Sequence, residues 1–480
     1  MINSLLNILC LVFVMTVAAG LGLLIFHRMK LSTGWTGETL VVSAGFGFIA
    51  IIYGTACLAS VSMLSETPVY GFATLLALGA AVGYWHWKSS GVDDRCSNVG
   101  SVAESSGRWG RWLYIVLGGM GIVLLLSAMA PPLEGDTLHA YLEVPRRYVD
   151  AGGIVDLPYE FFASLPLNMQ MLSAFALIFR GDQLAQMLTG FGMAIGGASA
   201  AYLIGRRYFS PLVATLAPLL YLSTHTVEYL VPSTKVNLGW AFFDLLAVYA
   251  VCRWAFDDEH RDRWLLIAGL FSGVALGSAY MAGLTTAILG TFILTRTALE
   301  SRPRRISLYL LARRAVMYAV PALLLVSPWL IKSFIETGNP VHPFLSSVFG
   351  GSSFDKKPPY DGPVGIIALV WDMSTQFAPF PYGKPIGPVF LALLPAVFLV
   401  KRLKREVWLA LAFVAAYYIL WYLFASQRPR NMLTAVALLG VIASYLLIVL
   451  AHRERILAGM FIALFTVYLL FEFSFYVRLH

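Results

Sequence analysis

Charge is what this sequence has least of. Asp, Glu, Lys and Arg make up 12% of its 480 residues, against 59% hydrophobic residues and a mean hydropathy of +0.74. That leaves too little polar surface to coat a soluble globule of this size, and it indicates a polytopic membrane protein. Cysteine is also scarce. Cys10, Cys57, Cys96 and Cys252 form no CxxC pair, and three of them lie in apolar runs. A disulfide framework and a structural zinc site are therefore not indicated, and packing is the role left to them. Low-complexity tracts and solenoid repeats are missing too. The net charge of +8 comes from basic residues in short connections between apolar runs, where membrane topology accounts for them and nucleic-acid binding does not.

What the sequence does have is long apolar runs. A span needs about 20 residues. Runs of that kind lie near 2–26, 37–60, 68–88, 112–130, 183–204, 211–223, 236–253, 264–295, 314–332, 386–400, 407–424, 431–450 and 456–474. The long run 264–295 contains "GSAYMAGL" at 277–284, which suits a turn between two helices, so about 13 to 14 spans are expected. The first run lacks a basic leader and is followed by His27, Arg28 and Lys30, which reads as a retained helix with its N-terminus outside.

Arginine and lysine set the orientation. The connection 296–314 carries Arg296, Arg302, Arg304, Arg305, Arg313 and Arg314 against Glu300, and "KRLKRE" at 401–406 is similarly basic. Both belong in the cytoplasm by the positive-inside rule. Two long connections, 131–168 and 333–385, then face outward, with short links near 224–235 and 425–430. Residues 131–166 hold six acids and two bases, in keeping with an external loop.

The stretch "PPLEGDTLHAYLEVPRRYVDAGG" at 131–153 concentrates ionisable groups directly after an apolar run. Pro131 and Pro132 end the preceding helix. From Thr137 a helical period puts Leu138, Tyr141, Leu142, Pro145, Tyr148 and Val149 on one face, with His139, Glu143, Arg146, Arg147 and Asp150 on the other. An interfacial amphipathic helix is expected, bent or divided at Pro145. A second short helix is expected over 165–179. By position, Asp136 is either the N-cap of the first helix, accepting an N–H from Leu138 or His139, or a catalytic carboxylate. Glu143 with Arg146, Arg147 and His139 reads as ion pairs on a solvated face.

These residues and three later segments carry a resemblance. "PPLEGDTLHAYLEVPRRYVDAGGI" resembles the first external loop of the membrane-embedded GT-C glycosyltransferases, specifically the bacterial relatives of protein mannosyltransferases and aminoarabinose transferases, whose pattern is "PPxxxDxLxYHLxxPxxYxxxGxI". Pro131, Pro132, Asp136, Leu138, Pro145, Tyr148 and Ile154 match, while His139 and Tyr141 stand in altered order. "SPWLIKSFIETGNPVHPF" at 327–344, "IGPVFLALLPAV" at 386–397 and "SQRPRNMLTA" at 426–435 continue it, with Arg430 at the arginine position. Asn237 and Ala279 depart from an acid and a lysine that relatives often carry. The resemblance covers roughly 112–450. It implies a GT-C-like helix bundle with 131–168 as the catalytic external loop and 333–385 as a second one. Residues 1–111 are then additional helices with a cytoplasmic connection, and 451–480 a C-terminal transmembrane helix.

The resemblance implies a glycosyltransferase in the cytoplasmic (inner) membrane, multi-pass, with its active site on the periplasmic or exterior side. A sugar moves from a polyprenyl-phosphate donor to a lipid, glycan or protein acceptor, with inversion. Asp136 is then the general base. Candidate substrate contacts are Glu134, His139, Tyr141, Glu143, Arg146, Lys332, His342, Lys384, Gln427, Arg428 and Arg430. The arginines lie on a link where positive-inside bias would not put them, and suit a departing phosphate. Lys332 suits a phosphate or a snorkelling role equally. Lys235 and Glu228 either pair with each other or line a groove. Glu134 and Asp136 alone are too few oxygen ligands for a hard cation, so no metal is expected to be required. A transporter or flippase for a lipid-linked glycan, or an O-antigen polymerase or ligase, is the alternative. The former would keep ionisable groups at midplane, and the latter an arginine-rich loop that 333–385 does not have.

Overall fold

The structure, a computed structural model, describes residues 2–29, 35–89, 107–257, 261–300, 307–350, 358–375 and 383–453, with scattered positions after 453. Among these residues every regular element is helical. Helices α1 (Ile2–Arg28), α2 (Thr36–Ser60), α3 (Glu66–Ser89) and α4 (Gly107–Ala128) are followed by the short α5 (Glu143–Asp150) and α6 (Asn168–Arg180). Then come α7 (Asp182–Tyr208), α8 (Pro211–Leu222), α9 (Asn237–Phe256), α10 (Arg261–Leu276), α11 (Gly283–Glu300) and α12 (Leu308–Thr337). The chain ends its described part with α13 (Gly362–Thr375), α14 (Val389–Leu399), α15 (Arg405–Phe424) and α16 (Leu433–Arg453).

Ten helices among the described residues are long and apolar enough to cross a membrane. The sequence reading put the number at about 13 to 14. The difference lies in α8, α10 and α14, which fall short of a full crossing or of the necessary hydropathy, and in 456–474, most of which lies outside the described residues. The turn expected in 264–295 is present, as a break after Leu276 and a 3₁₀ turn at Tyr280–Ala282.

The chain divides into two compact units. The first comprises Met1–Gly100, Leu124–Ala200 and Leu230–Lys356. Its centre is α9, where Trp240, Phe243, Tyr249 and Trp254 are all buried. Helices α10 and α12 pack in succession beyond it, and the outer face of α12 exposes Val316, Val320, Leu323, Leu324, Ile331 and Phe334. A helix apolar on every side needs neighbours all round, whereas one with an exposed apolar stripe has lipid to face. Helix α1 packs on both α2 and α3. Close crossing is possible because Gly22 and Gly47 have no side chain: a Cβ on either would lie under 2 Å from a backbone carbonyl of the facing helix.

Ion pairs in this unit gather at the two helix ends. At one end Arg253, 3% exposed, bonds to the fully buried Glu38 and to Asp257, and lies 4.5 Å over the Trp264 ring. At the same end, Arg314 lies 5.2 Å over the ring of Trp254, the residue after Arg253, and meets Glu300 at 2.8 Å and Asp262 at 3.6 Å, and Arg313 meets Asp262 at 2.9 Å. The opposite ends of α2, α9 and α12 carry Ser60, Asn237 and Thr337, next to the connections read as external. Arg296, Arg313 and Arg314 and the loop 131–168 thus lie at opposite ends of the unit.

The second unit comprises Ser101–Val123, Ala201–Tyr229 and Lys357–His480. Helix α16 is its centre, packed by α8, α14 and α15. Ala396, Val400, Val407, Ile442, Leu446 and Leu450 form one core. Tyrosines of α15 tie down α13, with Tyr418 and Tyr422 donating to the carbonyls of Ile366 and Gly362 at 2.5 and 2.9 Å.

Candidate active site

In the first unit the chain leaves α4 through Pro131-Pro132, which removes two N–H groups and stops the helix. The carbonyls left over at its end are satisfied from α7. Gln186 Nε2 donates to Ala128 O at 3.0 Å and Ala130 O at 2.7 Å, and Gln183 donates to Met129 O. The following turn is capped by Glu134. Its Oε2 accepts the Thr137 N–H at 2.8 Å, while Asp136 has helical backbone angles and makes no capping bond. The capping role open to Asp136 in the sequence therefore belongs to the carboxylate two residues earlier. A side chain on a residue already in the helical conformation points away from the amides that follow it.

Residues Thr137–Tyr141 form a π-turn, closed by the Leu142 N–H on Thr137 O at 2.8 Å, before α5 begins at Glu143. The division thus comes at Leu142 rather than at Pro145. Pro145 sits in the first turn of α5, where its missing N–H has no intrahelical acceptor in any case. Tyr141, Leu142, Pro145 and Tyr148 are buried on the expected face, with Ala140 and Val144 beside them, while Leu138 is 38% exposed and His139 lies beside it on the surface. Helix α6 begins as a buried segment packed against α2, with Asn168–Ala176 all buried.

The turn delivers two carboxylates to one ammonium. Lys235, whose side chain is 1% exposed, places Nζ 2.7 Å from Glu134 Oε1 and 3.2 Å from Asp136 Oδ2. The Thr234 N–H, 3.4 Å from Thr137 Oγ1, fixes the two segments against each other. A buried cation needs such partners, because desolvating it alone costs several kcal/mol. The two acids are not equivalent. Burial acts to raise the Glu134 carboxyl, but the Lys235 ammonium and the Thr137 amide outweigh it and hold the group below its usual range. Asp136 has no capping duty, and its side chain is 46% exposed. Lys235, left open in the sequence, is the residue that organises this corner.

The Glu134 assignment predicts a pH dependence. A carboxyl depressed on folding stabilises the protein above its unfolded pKa, and that contribution disappears as pH falls through the folded value. Wild type should therefore be more thermostable than Glu134→Gln at neutral pH. The gap should close below about pH 4, where unperturbed glutamate protonates. A gap that stays constant across this range in melting curves would refute the assignment.

The other candidates fall in separate places. Arg146 Nη2 donates to both carboxylate oxygens of Asp182 at 2.8 and 2.9 Å, and Arg146 makes a longer pair with Glu143, which also meets Arg147 at 2.7 Å. Tyr141 is buried against the Phe162 ring. Lys332 donates to Ala163 O at 2.7 Å and pairs with Glu336 at 2.6 Å, so it ties α12 to the end of the first loop. His342 is buried beside the Phe161 ring, and burial holds its pKa below the ordinary histidine value. The motif around it is held by Asn339, whose side chain bonds Phe344 O and the Val341 N–H. Likewise Trp329, of the "SPW" motif, donates to the fully buried Asn168 at 2.7 Å. One acid does lie well inside a span: Asp244 of α9, buried, accepts from Thr285 Oγ1 at 2.5 Å.

In the second unit, Gln427 is buried. Its amide gives both hydrogens to Tyr360 O and Tyr422 O and accepts the Tyr360 N–H, so it clasps the backbone. Arg428 and Arg430 are half-buried on either side of Pro429, at the 3₁₀ turn that opens α16. A Cβ on Gly383 would lie 3.7 Å from the Pro429 ring, so Lys384 enters beside the same link, with its ammonium 5.7 Å over Tyr229. Among the described residues no group of three or more His, Cys, Asp or Glu side chains is placed to hold a metal ion.

Residues 166–331 match the family described as dolichyl-phosphate-mannose-protein mannosyltransferase. No protein of curated function matches the sequence significantly. The fold is similar to that of ArnT from Cupriavidus metallidurans. The form bound to undecaprenyl phosphate superposes with a TM-score of 0.51 at 16% identity, covering 74% of this chain and 63% of that one. The apo form gives 0.51 and 16%, covering 76% and 64%. The apo oligosaccharyltransferase from Archaeoglobus fulgidus gives 0.42 and 15%, covering 75% and 52%. This chain thus spans less than two thirds of ArnT. The family match is confined to residues 166–331, and the likeness to ArnT is one of helical membrane fold.

Proposed function

We propose that this protein is a glycosyltransferase that takes a sugar from a polyprenyl-phosphate donor and delivers it to a lipid, glycan or protein hydroxyl at the external face of the inner membrane. The observation that carries the reading is the inequality of the two carboxylates. Glu134 is engaged by the Thr137 amide and Lys235, which leaves Asp136 ion-paired, half-exposed and free of any capping duty. An acceptor hydroxyl attacks the anomeric carbon and gives its proton to Asp136. The bond from that carbon to the phosphate oxygen breaks on the opposite side, which inverts the centre. The polyprenyl phosphate leaves as an anion, so no second acid is required. Positive charge is required, and the sequence resemblance, with Arg430 at the arginine position of the pattern, makes Arg430 and Arg428 the proposed source. Lys235 already places its ammonium between Glu134 and Asp136, the position that a bridging cation would take. A resident metal is therefore not part of the proposal.

The test is transfer of labelled sugar from a panel of polyprenyl-phosphate donors by the purified chain in liposomes. Arg430→Ala should lower transfer by about 10²-fold or more, the scale of losing a group that stabilises developing charge, while melting stays close to wild type. Donor binding by wild type without any transfer would overturn the enzymatic reading and favour transport.

A further inference from the structure

Helices α1–α3 precede the matched segment, and nothing in the proposed chemistry uses them. Their outer ends nevertheless touch both ends of the stretch 131–153. At the start of that stretch, Asn7 of α1, which is 4% exposed, donates to Gln183 Oε1, and Gln183 in turn donates to Met129 O, two residues before Pro131. Arg180 Nε completes the group by donating to Asn7 Oδ1 at 3.1 Å. Gln183 also adjoins Asp182, the partner of Arg146 in α5. At the far end, the tip between α2 and α3 pairs with the turn after α5. The Leu64 N–H donates to Gly152 O at 2.8 Å, and the Ile154 N–H donates to Ala59 O at 3.0 Å. Gly153 lies between these bonds, so close that a Cβ there would stand 2.9 Å from Ala59 O and 3.0 Å from Ser62 Cα.

We infer that α1–α3 are a brace for the loop that carries Asp136, and that Asn7 and Gly153 are its positioning residues. The inference rests on Asp136 as the base. A polar side chain in the first turns of an apolar helix is costly in lipid unless it is bonded, and here its bonds lead to the point where the loop begins. Two backbone bonds and a close approach clamp the point where it ends. The loop between them has only a π-turn and an eight-residue helix, too little regular structure to hold a carboxylate in place alone. Fixing both ends restricts Asp136 to the orientation that Lys235 selects.

The test uses the full chain in nanodiscs, with Asn7→Leu and Gly153→Val as variants. Two quantities are measured: hydrogen exchange of the amides in 137–150, and kcat and KM for the polyprenyl-phosphate donor. The brace predicts faster exchange in 137–150, unchanged exchange in α9 and α12, and a kcat lower by about 10- to 100-fold, the scale of a misplaced reacting group, with KM little changed. Unchanged exchange in 137–150 would overturn it, as would a loss confined to KM. Should Gly153→Val fail to fold, Asn7→Leu alone carries the test with the same two readouts, and a wild-type kcat together with unchanged exchange in 137–150 overturns the brace. If wild type itself transfers no sugar, the proposed function fails and the exchange result alone decides the brace.

Discussion

Asp136→Asn should still bind the polyprenyl-phosphate donor but transfer its sugar at least about a hundredfold more slowly, within the range for loss of a general base. The amide keeps the size and polarity of the side chain and removes only its capacity to accept a proton. Because Asp136 makes no capping bond, the turn itself should survive the change, with Glu134 still on Thr137. Lys235→Met provides the second arm. Removing the ammonium takes away a positive charge within 3.2 Å of both acids and leaves Glu134 and Asp136 as like-charged neighbours, and both effects raise a carboxyl pKa. The acid limb of the kcat/KM profile should therefore move to higher pH in Lys235→Met. Transfer by Asp136→Asn at the wild-type rate would remove Asp136 from the chemistry. A Lys235→Met profile with an unmoved acid limb would separate Lys235 from the base.

Glu38→Ala should destabilise the protein by about 3–5 kcal/mol, the cost of leaving one half of a buried ion pair without its partner. Glu38 is fully buried at the start of α2, and Arg253 of α9 is 3% exposed. Without Glu38 the guanidinium keeps Asp257 and the face of Trp264, but it is enclosed by helices and cannot regain water. Glu38→Leu combined with Arg253→Met should recover most of the loss, since replacing both charges by apolar groups of similar volume is often neutral or stabilising. Thermal unfolding in detergent measures both variants. A single variant as stable as wild type would show that water reaches Arg253 in spite of its burial. This pair lies at the opposite end of the unit from Asp136, so donor binding by whatever remains folded should be unchanged.

Much of this architecture was legible in the chain. The spans followed from runs of apolar residues, each a local property, and the break after Leu276 followed from small residues at 277–284. The resemblance at 131–153 pointed to the loop that carries the candidate base. Where the reading and the structure part, the reason is local backbone geometry or contacts with distant segments. A helix extrapolated from a uniform 3.6-residue period could not anticipate the π-turn at Thr137–Tyr141 or the exposure of Leu138 at its start, although Tyr141, Leu142, Pro145 and Tyr148 are buried as that period expects. Gln427 drew attention by its place in a motif beside two arginines. Only its contacts reveal that the amide is used up on Tyr360 and Tyr422.

Composition and hydropathy by themselves determined that this is a helical membrane protein, roughly where its spans fall, and which connections carry acid or base. They could do so because water excludes apolar side chains and lipid excludes charge whatever the tertiary arrangement. Which of Glu134 and Asp136 caps the turn, and that both pair with Lys235, were decided only by the fold. Capping depends on the backbone angles of a single turn, and pairing depends on bringing a buried lysine to two acids about a hundred residues away in the chain. The same holds for α1–α3: nothing in their sequence says that Asn7 and the tip at Ala59–Leu64 meet the two ends of the loop. Contacts of that kind arise from helix packing, and they add up only when the whole unit is assembled.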